Sequence, residues 1–275
     1  MLIKLLKFEQ SITLICLILI CLLAWIRVFF GAGMEMSAWE MTNFSLIPYH
    51  HAGMQINMPE MGMQSIPWSY QHFLIIMLMW WVMMIAMMLP SASPMVLLYA
   101  RVMEHAQKNS TSEKLIPTAY FIVGYLVVWL LFSLLATLLQ WQLEQQDLLS
   151  IHLISNNRWM SGGLLITAGI YQFSPLKSAC LKFCRTPAQF IVKYMQVGKL
   201  GALNMGLRHG WFCLGCCWGL MLLLFVGGVM NLFWIVALSM FVLIEKVYPK
   251  SHGLTHFVSI SLVIWGLAIL IMGLS

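Results

Sequence analysis

The sequence predicts an all-α fold, a polytopic membrane protein with about seven transmembrane helices, on three observations. Of 275 residues, 61% are hydrophobic and 9% charged, whereas roughly a quarter of an ordinary globular domain is charged. Apolar runs of about 17–25 residues, the length that crosses a hydrocarbon core, recur along nearly the whole chain. Basic residues, finally, gather in every second connection between those runs.

The first run, 12–30, follows Lys4 and Lys7. It is longer than a secretory signal core and no Ala-x-Ala site follows it, so a retained anchor is expected. Further spans are expected at 70–99, 116–140, 159–173, 207–226, 230–247 and 254–274, the fourth being the shortest. The chain therefore reads as a single membrane domain over 1–275. Residues 31–69 form a Met/His-rich extracytoplasmic loop, and 176–206 a basic cytoplasmic connection.

Orientation follows from charge, because cytoplasmic loops are enriched in Lys and Arg. Lys4, Lys7, Arg101, Lys108, Lys114, Lys177, Lys182, Arg185, Lys193, Lys199, Arg208, Lys246 and Lys250 share one side if seven spans alternate, leaving only Arg27 and Arg158. The N-terminus is then cytoplasmic and the C-terminus extracytoplasmic. The net charge of +6 reflects this topology and contact with anionic lipid, not nucleic acid.

Methionine is the compositional outlier, with 23 residues. In the 31–69 loop the spacing is Met34-x-Met36-x4-Met41 and Met54-x3-Met58-x2-Met61-x-Met63, with His50 and His51 just ahead of the second group. Thioethers suit copper(I), and imidazole also accepts copper(II). Met58, Met61, Met63, His50 and His51 are therefore candidate capture ligands, an adaptable apolar lid being the alternative. In the second span Met77, Met84, Met88 and Met95 fall along one helical face with Met87 beside them, since residues advance by 100°. Pro90, which removes a backbone donor, is expected to break the helix there. The stripe reads either as a sulfur path, with Met84, Met87 and Met88 as ligands, or as a packing seam.

Cysteine gives the sharper pattern. Cys16 and Cys21 lie in the first span, where packing suffices. Cys180 and Cys184 are one helical turn apart, and His209-x3-Cys213-x2-Cys216-Cys217-x3-Met221 places more soft donors on one side of the fifth span. Cys180, Cys184, Cys213, Cys216, Cys217, His209 and Met221 are thus candidate ligands for a copper ion, copper(I) above all, or another soft metal. Burial as inert thiols is the alternative. Glu245 and Lys246 close the sixth span, where snorkelling or mutual pairing would accommodate them. Gly206, Gly210, Gly215, Gly219 and the Gly227-Gly228 pair are expected to set close helix packing.

Three motifs, at 84–91, 171–187 and 213–218, together resemble a bacterial family described as predicted metal-binding integral membrane proteins, whose reaction is uncharacterised. The resemblance covers most of the chain from the second span onward. It implies a metal-binding protein of the bacterial inner membrane, with copper a plausible metal. The leading reading is copper handling or transport, in which outer methionines pass the ion along the second span to inner cysteines and a soluble metal chaperone serves as partner. A membrane thiol–disulfide oxidoreductase using Cys213/Cys216 and Cys180/Cys184 is the runner-up, and an assembly factor for another membrane complex is the third. No nucleotide-binding loop occurs, so a gradient or partner would supply any energy.

Overall fold

A computed structural model describes residues 2–33, 37–42, 68–106, 111–146, 148–149, 157–196, 198–248 and 252–272. In chain order its helices are α1 (Leu2–Phe29), α2 (Tyr70–Ala106), α3 (Thr111–Gln145), α4 (Arg158–Gln172), α5 (Pro175–Arg185), α6 (Pro187–Tyr194), α7 (Gly198–Met221), α8 (Leu224–Gly227), α9 (Leu232–Val247) and α10 (His252–Met272). Short polar signals separate the later ones. The side chain of Asn157 accepts from the backbone N–H of Trp159 and Met160 to start α4, and Asn231 accepts from Phe233 to start α9. Ser174 accepts from Lys177 N–H while Pro175 opens α5, and Pro187 opens α6. Such residues satisfy the donors a helix start leaves free, and proline sacrifices none that matter there.

Among the described residues, five segments are long and apolar enough to cross a membrane: Ser11–Phe29, Tyr70–Met103, Ile116–Gln145, Gly198–Gly227 and Gly253–Ile271. The expectation of seven is met in length only by these five. The other two, α4 and α9, have 15 and 16 residues, or about 22 and 24 Å at 1.5 Å per residue, short of a hydrocarbon core of about 30 Å. The basic 176–206 connection folds into α5, α6 and the start of α7. The outer helices present apolar surface, including Leu19 and Leu23 on α1, Leu135 on α3, and Phe257 and Ile264 on α10.

Helix directions can be read from side-chain pairs. On α2 and α3, Trp80 donates to Gln140 at 2.8 Å while Tyr99 stacks on Phe121, so the two run antiparallel. Parallel α3 and α7 follow from closer approaches: a Cβ at Gly206 would stand 2.0 Å from the Phe121 carbonyl oxygen, and one at Gly210 2.8 Å from the Val128 side chain. Only glycine permits that backbone-to-backbone contact, as its place in the sequence suggested. On α4 and α10, Gly162 meets Leu270 and Gly169 meets Val263, an antiparallel pair. On α2 and α9, Ser239 reaches the Met87 carbonyl and Lys246 reaches Ser91, a parallel pair.

Two expectations need correction. First, Pro90 does not break α2, which continues through Pro90 and Pro94 to Ala106. Hydroxyls occupy carbonyls around the prolines: Ser93 donates to the Pro90 oxygen that Pro94 cannot reach, at 2.8 Å, and Ser91 and Tyr125 both donate to that of Met88, at 2.8 and 3.2 Å. Second, Glu245 and Lys246 neither snorkel nor pair with each other. Both are buried, and their partners lie on other helices.

Candidate metal centre

The centre of the fold is a buried cluster of sulfur built from α2, α5 and α7. The helical spacing of Cys213, Cys216 and Cys217 turns all three inward, and each is buried. Gly215 leaves room beside them: a Cβ there would come within 2.7 Å of Cys180 Sγ. This lets α5 lie close on α7, a fit reinforced by a hydrogen bond from the Tyr171 hydroxyl to the Gly215 carbonyl. The half-buried Cys184 thereby reaches the thiol of Cys216. Cys216 and Cys217 lie on α7 with Cys213, so four thiols gather along two helices. From α2, Met88 adds its thioether, Sδ lying 3.8 Å from Cys217 Sγ.

Polar groups frame these thiols. Cys216 and Cys217 both donate to the Cys213 carbonyl at 3.0 Å, the way a protonated thiol settles in a helix. Cys213 Sγ lies 3.2 Å from the Tyr125 hydroxyl and accepts from Lys246 Nζ at 3.0 Å. On α5, burial raises the Cys180 thiol, and contact with Cys216, then burial, raises that of Cys184. Behind the cluster, Lys177 and Glu245 form a buried ion pair at 2.5 Å. Gln172 accepts from Lys177, Thr255 donates to the Glu245 carboxylate at 2.9 Å, and Arg185 Nε donates to the Glu245 carbonyl at 2.9 Å. One polar knot therefore ties α4, α5, α9 and α10.

The expected ligands divide into groups. Cys213, Cys216, Cys217 and Met88 share the buried core, with Cys217 against Met88, while Cys184 and Cys180 pack beside them from α5, Cys180 over Gly215. Met84 and Met87 are buried in the same core, and Met221 ends α7 within it. Met95 belongs to a second core with Tyr99 and Phe121, so the methionine stripe is shared between two packing regions. His209 sits among the rings of Phe121, Tyr125 and Phe190, at centroid distances of 5.9, 5.7 and 5.4 Å, with its Nδ1 buried and no hydrogen-bond partner there. His50, His51, Met58, Met61 and Met63 lie outside the described residues. At the near edge of that loop, Met41 packs on the core and Thr42 Oγ1 accepts from Leu232 N–H at 3.2 Å, fastening the loop to the start of α9.

Among the described residues no three His, Cys, Asp or Glu side chains converge as a group able to hold a metal ion. The thiols lie along two helices without surrounding a point. The donor chemistry nonetheless fits a soft ion. Two sulfurs each about 2.3 Å from one ion stand roughly 3.8–4.0 Å apart at tetrahedral to trigonal angles, which is the Met88–Cys217 separation. Tyr125 and Lys246 were not singled out as site residues from sequence. Lys246 carried a signal, since an ionisable group at membrane depth points to function; Tyr125, an aromatic within an apolar run, carried none.

A family model described as a copper chaperone, PpoB2, matches residues 77–269. The chain belongs to that family. The match takes in Met84, Met87, Met88 and the five cysteines of α5 and α7, and it begins after the 31–69 loop. Copper handling in general is thus a property of the family to which the cluster belongs. No curated protein and no solved structure matches the chain.

Proposed function

We propose that this chain is an integral protein of the bacterial inner membrane that binds copper(I) as cargo at the sulfur cluster of Cys180, Cys184, Cys213, Cys216, Cys217 and Met88, and passes it between the two sides. The observation that carries the reading is the meeting of thiols from α5 and α7 with the Met88 thioether at 3.8 Å from Cys217. Thiolate and thioether donors select copper(I) over harder ions. Loading replaces thiol protons with metal, so small side-chain rotations away from the Cys213 carbonyl accompany it. Met84 and Met87 lead outward along α2, and a soluble metal chaperone is the partner expected at the cytoplasmic face.

Seven crossings, with the N-terminus inside and the C-terminus outside, suit the helix directions. Parallel α3 and α7 support a return of the chain across the membrane between residues 145 and 198, made by α4. Parallel α2 and α9 likewise suit a crossing by α9. Mutual packing against longer neighbours and local thinning of the bilayer accommodate their short lengths.

The deciding experiment is elemental analysis of the purified protein under reducing conditions, beside a variant with Cys213, Cys216 and Cys217 replaced by serine. Stoichiometric copper(I) in the parent and its loss from the folded variant are expected. Equal copper in both removes this cluster from the function. The contact between Cys184 and Cys216 also suits thiol–disulfide exchange, and that reading would prevail if the parent held no copper but formed this disulfide during turnover with a quinone.

A further inference from the structure

Lys246 has no role in the reading above, yet it is the nearest charged group to the sulfur. It lies in the last turn of α9, buried, with Nζ 3.0 Å from Cys213 Sγ and 3.0 Å from Ser91 Oγ. The carboxylate beside it in sequence, Glu245, is directed to Lys177 and Thr255 on α5 and α10. The elements packed around the thiols bring Ser91 from α2, Tyr125 from α3, His209 from α7 and Lys177 from α5. Of the charged groups around the thiols, Lys246, Lys177 and Arg185 are basic; Lys177 is matched by the Glu245 carboxylate, and Arg185 Nε is directed to the Glu245 carbonyl.

We infer that Lys246 is a specificity-determining residue that restricts the sulfur cluster to monovalent soft ions. The inference rests on the preceding reading of the cluster as the ion's seat and adds the charge of the ion it accepts. A monovalent ion held by two thiolates and the neutral Met88 thioether carries one net negative charge, which the Lys246 ammonium cancels. A divalent ion in the same ligands would be neutral by itself and leave the ammonium uncompensated. A net charge buried away from water is heavily penalised. Repulsion between the ammonium and the incoming ion also doubles when the ion's charge doubles. Softness alone would admit both silver(I) and cadmium(II), which share thiolate preference and differ in charge. Lys246 separates them.

The test measures binding of silver(I) and of cadmium(II), each as the ion alone, to the full-length protein in detergent under reducing conditions. Equilibrium dialysis gives affinity, and thiolate-to-metal absorption gives ligand identity. The parent should hold silver(I) more tightly. Lys246→Met and Lys246→Gln, the latter keeping a hydrogen-bonding group toward Ser91, should move the silver-to-cadmium affinity ratio toward cadmium by on the order of tenfold to a hundredfold. Lys246→Arg should keep the parent ratio. An unchanged ratio in either neutral variant overturns the inference, as does equal affinity of the parent for the two ions, a result that needs no variant to fold. Failure of the parent to bind silver(I) or copper(I) through thiolates is a different outcome, which removes the seat itself.

Discussion

The thioether of Met88 and the thiol of Cys217, on helices far apart in the chain, lie 3.8 Å from each other in the buried centre of the protein. Met84, one turn earlier on α2, is buried in the same core without being part of that contact. The two should therefore behave differently. Met88→Leu conserves volume, normally costing less than about 1.5 kcal/mol, and should weaken equilibrium copper(I) binding. Met84→Leu should leave equilibrium binding intact and slow loading from the outer side of proteoliposomes. Identical binding and loading in both variants and the parent would make the methionines packing residues only.

Accessibility labelling separates seven crossings from five. Single cysteines at Lys182 and Lys199 should react only from the cytoplasmic side, and those at Asn157 and Phe233 only from the outside. Five crossings would expose Lys182 and Lys199 to the outer medium. Labelling of either from outside would exclude α4 as a spanning helix.

The ion pair between Lys177 and Glu245 is buried on both sides. Removing one partner of such a pair strands the other and costs about 3–5 kcal/mol, whereas replacing both by apolar groups costs far less. Glu245→Ala should accordingly lower unfolding stability in mild detergent by that amount, and the double variant Lys177→Met/Glu245→Met should recover much of it. Unfolding of Glu245→Ala at the parent's denaturant midpoint would show that water reaches the pair.

Gly206 and Gly163 offer a contrast between two alanine substitutions. At Gly206 the new Cβ would meet the backbone of Phe121 at 2.0 Å, where nothing can yield without parting α3 from α7, whereas at Gly163 it would meet nothing within 4 Å. Gly206→Ala should destabilise by about 1–3 kcal/mol or more. Gly163→Ala should stabilise by roughly 0.5–1 kcal/mol through reduced backbone freedom. Thermal unfolding of the two variants side by side checks both, and equal midpoints would refute the parallel contact of α3 with α7.

The sequence disclosed what is written locally. Hydropathy located the long helices because apolar runs are a one-dimensional property, and the spacings of Cys180 with Cys184 and of Cys213 with Cys217 reported a shared helical face. Glycines at Gly206, Gly210 and Gly215 likewise marked close packing. Partners were hidden where they lie far along the chain. Glu245 and Lys246 read as a neighbouring pair at a helix end, but one finds Lys177 and the other Cys213. Pro90 read as a break because a sequence shows the lost donor and not the hydroxyls of Ser91, Ser93 and Tyr125 that gather on nearby carbonyls.

The Lys177–Glu245 pair also bears on how the protein is made. These residues are 68 positions apart, which at about 5–20 residues per second leaves Lys177 without its carboxylate for roughly 3–14 s of synthesis. During that interval the ammonium is most stable at the aqueous boundary. The sulfur cluster, which draws Cys184 from α5 and Lys246 from α9, is complete only after α9 has emerged. An unfinished chain thus has its cysteines without the lysine that meets Cys213 in the completed protein.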